Sequence, residues 1–201
     1  MKNLHFGNTQ ILGGFWSHYD QLNRTVTIGN IYERFRETGR FDALKCDWKP
    51  GQPNKPHIFW DSDVAKWIEA VAYLTETHRE PAWEALVDEM VENIAVNQKP
   101  SGYFNSYYIT VEPDVEFQVR SNHELYCAGH LIEAAIAYDR ATGKSRLLQV
   151  MQKYVDYIHQ VFVVEQRASF VTPGHEVSSW PCSGLLITPV NSDTGIWLLS
   201  F

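Results

Sequence analysis

Helical spacing of apolar residues recurs five times along this chain, and it constrains the fold more than any other feature. Leu22, Val26, Ile31 and Phe35 mark one face of a segment over roughly 18–37 that stops at Thr38-Gly39. A Pro- and Gly-bearing loop over 41–56 follows. A second helix is predicted from Asp61 or Ser62, either of which would cap it, through about 76, with Val64, Trp67, Ile68, Val71 and Tyr73 on or near its buried side. The third runs over about 81–98, with proline at its first position and Leu86, Met90, Val91 and Ile94 inside. The fourth lies within 121–143 and ends at Thr142-Gly143. The fifth covers about 144–163, with Leu147, Leu148, Met151, Tyr154, Val155 and Ile158 in helical spacing. Helices of this length on short loops favour antiparallel hairpins, which stack either as a solenoid or as a closed toroid. The repeat lengths are irregular and no helical-repeat signature is present, so an all-α toroid is favoured.

Composition removes several functions. A net charge of -7 without a basic cluster predicts no nucleic-acid partner, because phosphate contacts need concentrated Lys and Arg. No run of about eighteen apolar residues exists, so no membrane span is expected. The first residues lack the apolar core of a signal peptide, which points to a cytoplasmic protein. Cys46, Cys127 and Cys182 show neither CxxC spacing nor an even-numbered framework, so a disulfide scaffold is not expected.

The stretch SNHELYCAGHLIEAAIAYDRATG (121–143) places His123, Cys127 and His130 at i, i+4 and i+7, on one face if the helix is continuous. A single metal cannot use all three, because the ladder spans roughly 10 Å at about 1.5 Å per residue. With metal–ligand bonds near 2.1–2.3 Å, at most an adjacent pair binds. No metal is therefore assigned. Two readings remain: His123, Glu124 and His130 hydrogen-bond to sugar hydroxyls in a central cavity, or the histidines are satisfied within the core. At the start of the second helix, Asp63 either faces a pocket or forms an i, i+3 pair with Lys66. GYFNSYY (102–108) has no helical period; Tyr103, Asn105 and Tyr107 either line a cleft or staple two helices together. No GxSxG, Walker, HExxH or GxGxxG motif is present, and no catalytic residue is assigned.

GFW, NRTVTIGNIYERFRETGR, FWDSDVAKWIEAVAY, QKPSGYFNSYY, HELYCAGHLIEAAIAYDRATG and TPGHE occur in that order. Together they resemble the N-terminal part of glycoside hydrolase family 127, the β-L-arabinofuranosidase family, over about residues 14–176. The resemblance implies an incomplete (α/α)6 toroid of the six-hairpin glycosidase kind and a carbohydrate substrate. It further implies a retaining mechanism in the full-length family, with a cysteine nucleophile on zinc held by Cys and Glu, and a Glu acid/base. Those elements belong to later parts of the family's barrel, and no cysteine here has a matching context. No cofactor is carried over to this chain, zinc being implied only for the full-length family. His130, then His123 and Glu124, with Asp63 and Tyr103, are carried over as sugar-facing residues. The alternative is a non-catalytic helical-repeat binding module.

Residues 1–176 thus form the barrel part, and 177–201 depart from it. VSSWPCSGLLITPVNSDTGIWLLSF has no helical period and is expected to be irregular. Read from the third base of the Ser178 codon, with synonymous choices, the same stretch yields LVALLRLADNAREFGHRHLALEF, an amphipathic helix followed by a new helix entry. This predicts an out-of-frame tail from about Val177.

Overall fold

A computed structural model describes residues 10–172, 174, 186–191 and 196–200. Gly14–Leu22 (α1) and Ile28–Glu37 (α2) are joined without a break by a π-helical turn at Asn23–Thr27. Thr25 donates its hydroxyl to the Gln21 carbonyl at 2.9 Å, the backbone-directed bonding that bends helices. Arg40–Ala43 (α3) is a single turn, and Trp60–Thr77 (α4) and Pro81–Asn97 (α5) are long helices. Ser106–Thr110 (α6) follows, then Glu124–Thr142 (α7) and Arg146–His159 (α8), the last extended by a π-turn over Gln160–Val164.

Both predicted stops are real. Thr38 and Thr142 each bond a carbonyl four residues back, at 2.6 Å, and Gly39 and Gly143 then adopt the left-handed conformation at φ 80° and 74°. A side chain on Gly39 would also strike Asn54, so the turn admits little else.

Burial separates the helices into two layers. α4 and α7 share the most extensive interface in the helical part and are buried on several sides. Ala65 and Ala72 on one, and Ala128 and Ala135 on the other, are small buried residues that let helix axes approach. α2, α5 and α8 pack around this pair through one face each. Trp67 donates its indole N–H to the Ile28 carbonyl at 3.1 Å, and its ring meets Tyr32, Phe41 and Trp83 at 5.5–5.8 Å between centroids. This aromatic cluster fixes α2 and α5 against α4. Leu131 is fully buried on α7, where truncation to alanine costs about 2–5 kcal/mol.

Several expectations need correction. The buried side of the first helix is Ile28 with Tyr32 and Phe35, whereas Val26 and Ile31 are 45% and 38% exposed. The π-turn over Asn23–Thr27 shifts the helix face ahead of Ile28, and the buried face then runs Ile28, Tyr32 and Phe35, which leaves Val26 and Ile31 off it. Tyr73 points outward, and Trp16 on α1 is 70% exposed. The tail is not wholly irregular. Leu186–Asn191 (β1) and Ile196–Ser200 (β2) pair antiparallel, with Leu186 opposite Ser200 and an irregularity between Pro189 and Asn191. No described helix is long and apolar enough to cross a membrane.

Candidate functional site

The first turns of α4 and α7 open side by side into a cleft of about 610 Å³. Trp60, Ser62, Asp63 and Lys66 come from α4, and His123 and Tyr126 from the start of α7. His57 and Phe59 reach it from the loop before α4, and Arg40 from the start of α3.

Neither aspartate in FWDSD caps its own helix. Phe59 precedes the helix with no side-chain cap, and Ser62 donates its hydroxyl back to the Phe59 carbonyl at 2.7 Å. The Asp61 carboxylate is buried and turned away from the cleft, accepting from the backbone N–H and hydroxyl of Ser106. Burial pushes its carboxyl up to about 6, against the pull of those two hydrogen bonds. Asp63 pairs with Arg40 at 2.9 Å rather than with Lys66. The Arg40 guanidinium also lies 5.0 and 5.3 Å from the ring centroids of Phe35 and Trp60. Lys66 instead donates to the Tyr126 hydroxyl at 2.8 Å.

His123 is the residue before α7, held at φ 60°, ψ 24°. It therefore leaves the stripe expected of a continuous helix. Its ring stacks edge-on with Phe59 at 4.7 Å and with Tyr126 at 5.6 Å, and Tyr126 in turn meets His130 at 4.6 Å. Cys127 points into the core and donates its thiol to the Ile58 carbonyl at 3.2 Å. The stripe is thus divided among the cleft, the core and a position farther along α7.

Of the five residues read as sugar-facing, the structure brings Asp63 and His123 together in this cleft. His130 lies two turns deeper on α7, outside its lining. Glu124 and Tyr103 are not brought to it. The Tyr103 hydroxyl donates to Glu124 at 2.6 Å, and the second Glu124 oxygen accepts from the Phe117 N–H at 2.8 Å, all within the core. Burial pushes the Glu124 carboxyl up to about 7 despite both donors. Tyr103 also meets Phe117, Tyr154 and Tyr157 edge-on at 5.5–5.7 Å, and Asn105 caps α6 by accepting from the Tyr108 N–H. GYFNSYY therefore staples helices together.

Arg40, His57, Trp60, Lys66 and Tyr126 are the lining residues that sequence reasoning missed. Tyr126 stands three residues after His123 and four before His130, a helical spacing that was available. Arg40 and His57 carry no such signal, because a one-turn helix delivers the first and an irregular loop the second.

Cysteine-ligated zinc does not fit the described residues. Burial pushes the Cys46 thiol up to about 12 and the Cys127 thiol higher still, so neither is a ready thiolate. The one group of described His, Cys, Asp and Glu side chains close enough to share an ion contains no sulfur. Cys182 lies outside the described residues. The cleft also lacks a pair of carboxylates: Asp63 is the one among its lining residues, and it is tied to Arg40. Glycoside hydrolysis by two carboxyl groups needs both, about 5 Å or more apart across the bond.

Comparison with known proteins gives a consistent result. A family model described as β-L-arabinofuranosidase, GH127 catalytic domain, matches residues 8–179. A non-reducing end β-L-arabinofuranosidase from Bifidobacterium longum subsp. longum is 35% identical over 123 residues, 59% of this chain and 19% of that protein. The crystal structure of a GH127 β-L-arabinofuranosidase from Geobacillus stearothermophilus T6 superposes with a TM-score of 0.79 at 39% identity. That alignment covers 88% of this chain and 29% of the other. A second GH127 β-arabinofuranosidase gives 0.78 at 26% identity, over 88% and 30%. The chain therefore spans less than a third of each relative, and its helical layers are part of a helical toroid.

Proposed function

We propose that this chain, which belongs to the glycoside hydrolase family 127 catalytic-domain family, supplies the binding wall of a carbohydrate pocket. The observation that carries this reading is the cleft itself. It sets an ion-paired carboxylate, two imidazoles, an ammonium and three aromatic rings around one space of sugar size. Asp63 and His123 are its sugar-facing hydrogen-bonding groups, and Trp60 and Tyr126 offer apolar ring faces to a furanose. The relatives' titles name β-L-arabinofuranosidases, so an arabinofuranoside is the first ligand to try. Tyr103 and Glu124 act behind the wall and position it.

This reading gives the chain no reactive group of its own. The purified 201-residue protein should bind methyl β-L-arabinofuranoside saturably in a ligand-observed NMR titration and release no arabinose from an aryl β-L-arabinofuranoside. Absence of saturable binding sinks the cleft assignment, and cysteine-dependent release of arabinose sinks the division between binding and reacting parts.

Residues 1–176 are proposed as the barrel part and 177–201 as sequence foreign to it. The family match ending at residue 179 supports that boundary, as does the helical reading in the shifted frame. Sequencing the locus tests it: no barrel-like reading frame downstream would overturn the frameshift.

A further inference from the structure

α4 and α7 run in the same direction, since Asp63 and His123 share the cleft at their starts and Glu69 and His130 meet two turns later. At that second level, Glu69 from α4 faces His130 and Glu133 from α7. One ligand-capable atom of each lies within 4.8 Å of the others. Three further observations set the cluster apart from an ordinary polar patch. The His130 Nδ1 is buried and without a hydrogen-bond partner, and it stands 3.5 Å from a Glu133 carboxylate oxygen. No described Lys or Arg forms an ion pair with Glu69 or Glu133. The Tyr73 hydroxyl donates to one Glu69 carboxylate oxygen at 2.9 Å. Burial and the neighbouring Glu133 charge together raise the Glu69 pKa, as two under-compensated carboxylates should.

We propose that Glu69, His130 and Glu133 bind one divalent transition-metal ion of the zinc and manganese class, strapping α4 to α7. One imidazole with two carboxylates suits such ions. The His130–Glu133 spacing of i, i+3 sets two ligands on one helical face, a device used inside helical bundles, and α4 supplies the third. Oxygen and nitrogen ligands about 2.0–2.2 Å from one ion lie roughly 3.4 Å from each other. The His130–Glu133 pair already meets that separation, and a small rotation of the Glu69 side chain closes the rest. The Tyr73 hydroxyl then orients a ligating carboxylate from outside, and the Tyr126 ring fixes the plane of the imidazole. The difficulty that ruled out a single ion on His123, Cys127 and His130 does not arise, because the third ligand comes from a neighbouring helix rather than farther up the same one. The proposal does not depend on the sugar reading of the cleft.

The test titrates Zn²⁺ and Mn²⁺ into the EDTA-stripped 201-residue chain by calorimetry, with Mg²⁺ as control. One equivalent of Zn²⁺ should bind, and the melting temperature should rise with Zn²⁺ concentration by mass action. Glu69→Gln and Glu133→Gln should each weaken binding by about 100-fold or more. Tyr73→Phe, at an exposed position that leaves the fold alone, should weaken it by about tenfold. Absence of stoichiometric binding overturns the proposal. So does affinity unchanged in folded Glu69→Gln and in Tyr73→Phe, which would assign any bound zinc to histidines elsewhere. Sugar titration in the presence of EDTA reports on the cleft separately, so failure of one assignment is not mistaken for failure of the other.

Discussion

His123 and Glu124 are adjacent in sequence and opposite in fate. His123 turns its ring into the open cleft between Phe59 and Tyr126, while Glu124 enters the core to accept from Tyr103 and Phe117. The left-handed backbone at His123 makes this possible, because it breaks the helix before α7 begins and lets neighbouring side chains diverge. Asp61 and Asp63 repeat the pattern at the start of α4, one bonded to Ser106 in the interior and the other paired with Arg40 at the cleft. At each helix start, one acid builds the wall and a neighbouring polar group faces what the wall encloses.

If that division is right, the wall residues govern stability and the cleft residues govern binding. The largest effect is expected from Glu124→Ala. It strands the Tyr103 hydroxyl and the Phe117 N–H in the core. Two buried unsatisfied groups should cost about 2–5 kcal/mol in urea unfolding. A loss below about 1 kcal/mol would break the comparison, because Glu124 would then be no more structural than His123.

The same carboxyl makes a pH signature. Its folded pKa is about 7, above the ordinary 4.5, and that of Asp61 is about 6, above 3.8. Between those values the folded chain holds protons that the unfolded chain has released. Their contribution to stability is therefore complete below about pH 4 and is lost as pH rises through 6 to 7. Glu124→Gln keeps an acceptor for the Phe117 N–H and turns an amide N–H toward the Tyr103 oxygen, reversing that bond, so it should fold and flatten the decline of melting temperature between pH 4.5 and 7. An unchanged profile would show that Glu124 is not the titrating group. Tyr103→Phe should cost less, about 1–3 kcal/mol, since it removes one donor and leaves the Phe117 bond in place.

The helices were legible because burial writes itself in a 3.6-residue period. Pro81 at a helix start, and Thr38-Gly39 and Thr142-Gly143 at helix ends, all match the structure to within a residue or two. The first helix misled at Val26, which lies inside a π-turn that spacing alone does not announce, and at Ile31, which stands one residue off the Ile28–Tyr32–Phe35 face. The site was legible only where its groups sit on helices, as Asp63 and His123 do at two helix starts. Arg40 and His57 arrive from α3 and an irregular loop, so their proximity to Asp63 is a fact of three dimensions. The two roles of FWDSD were unreadable for the same reason: Ser106, which claims Asp61, is 45 residues away. Tyr103 and Glu124 show the converse, for their residue types suit a pocket and their burial places them behind it.

Asp63→Asn sharpens the comparison with the smallest structural effect. The Arg40–Asp63 pair is partly exposed, and such pairs contribute about 0–1 kcal/mol. Arg40 also keeps its other partners without the charge, namely the Phe35 and Trp60 rings and the Thr38 hydroxyl at 2.6 Å. Stability should therefore fall by less than about 1 kcal/mol. Affinity for the arabinofuranoside should fall by about tenfold or more, because an amide accepts less strongly from sugar hydroxyls than a carboxylate does. Chemical unfolding and the NMR titration, run on the same protein, read the two quantities apart. A variant that loses stability while keeping affinity would move Asp63 from the contents of the cleft to its wall, beside Asp61, and leave His123 as its principal polar contact.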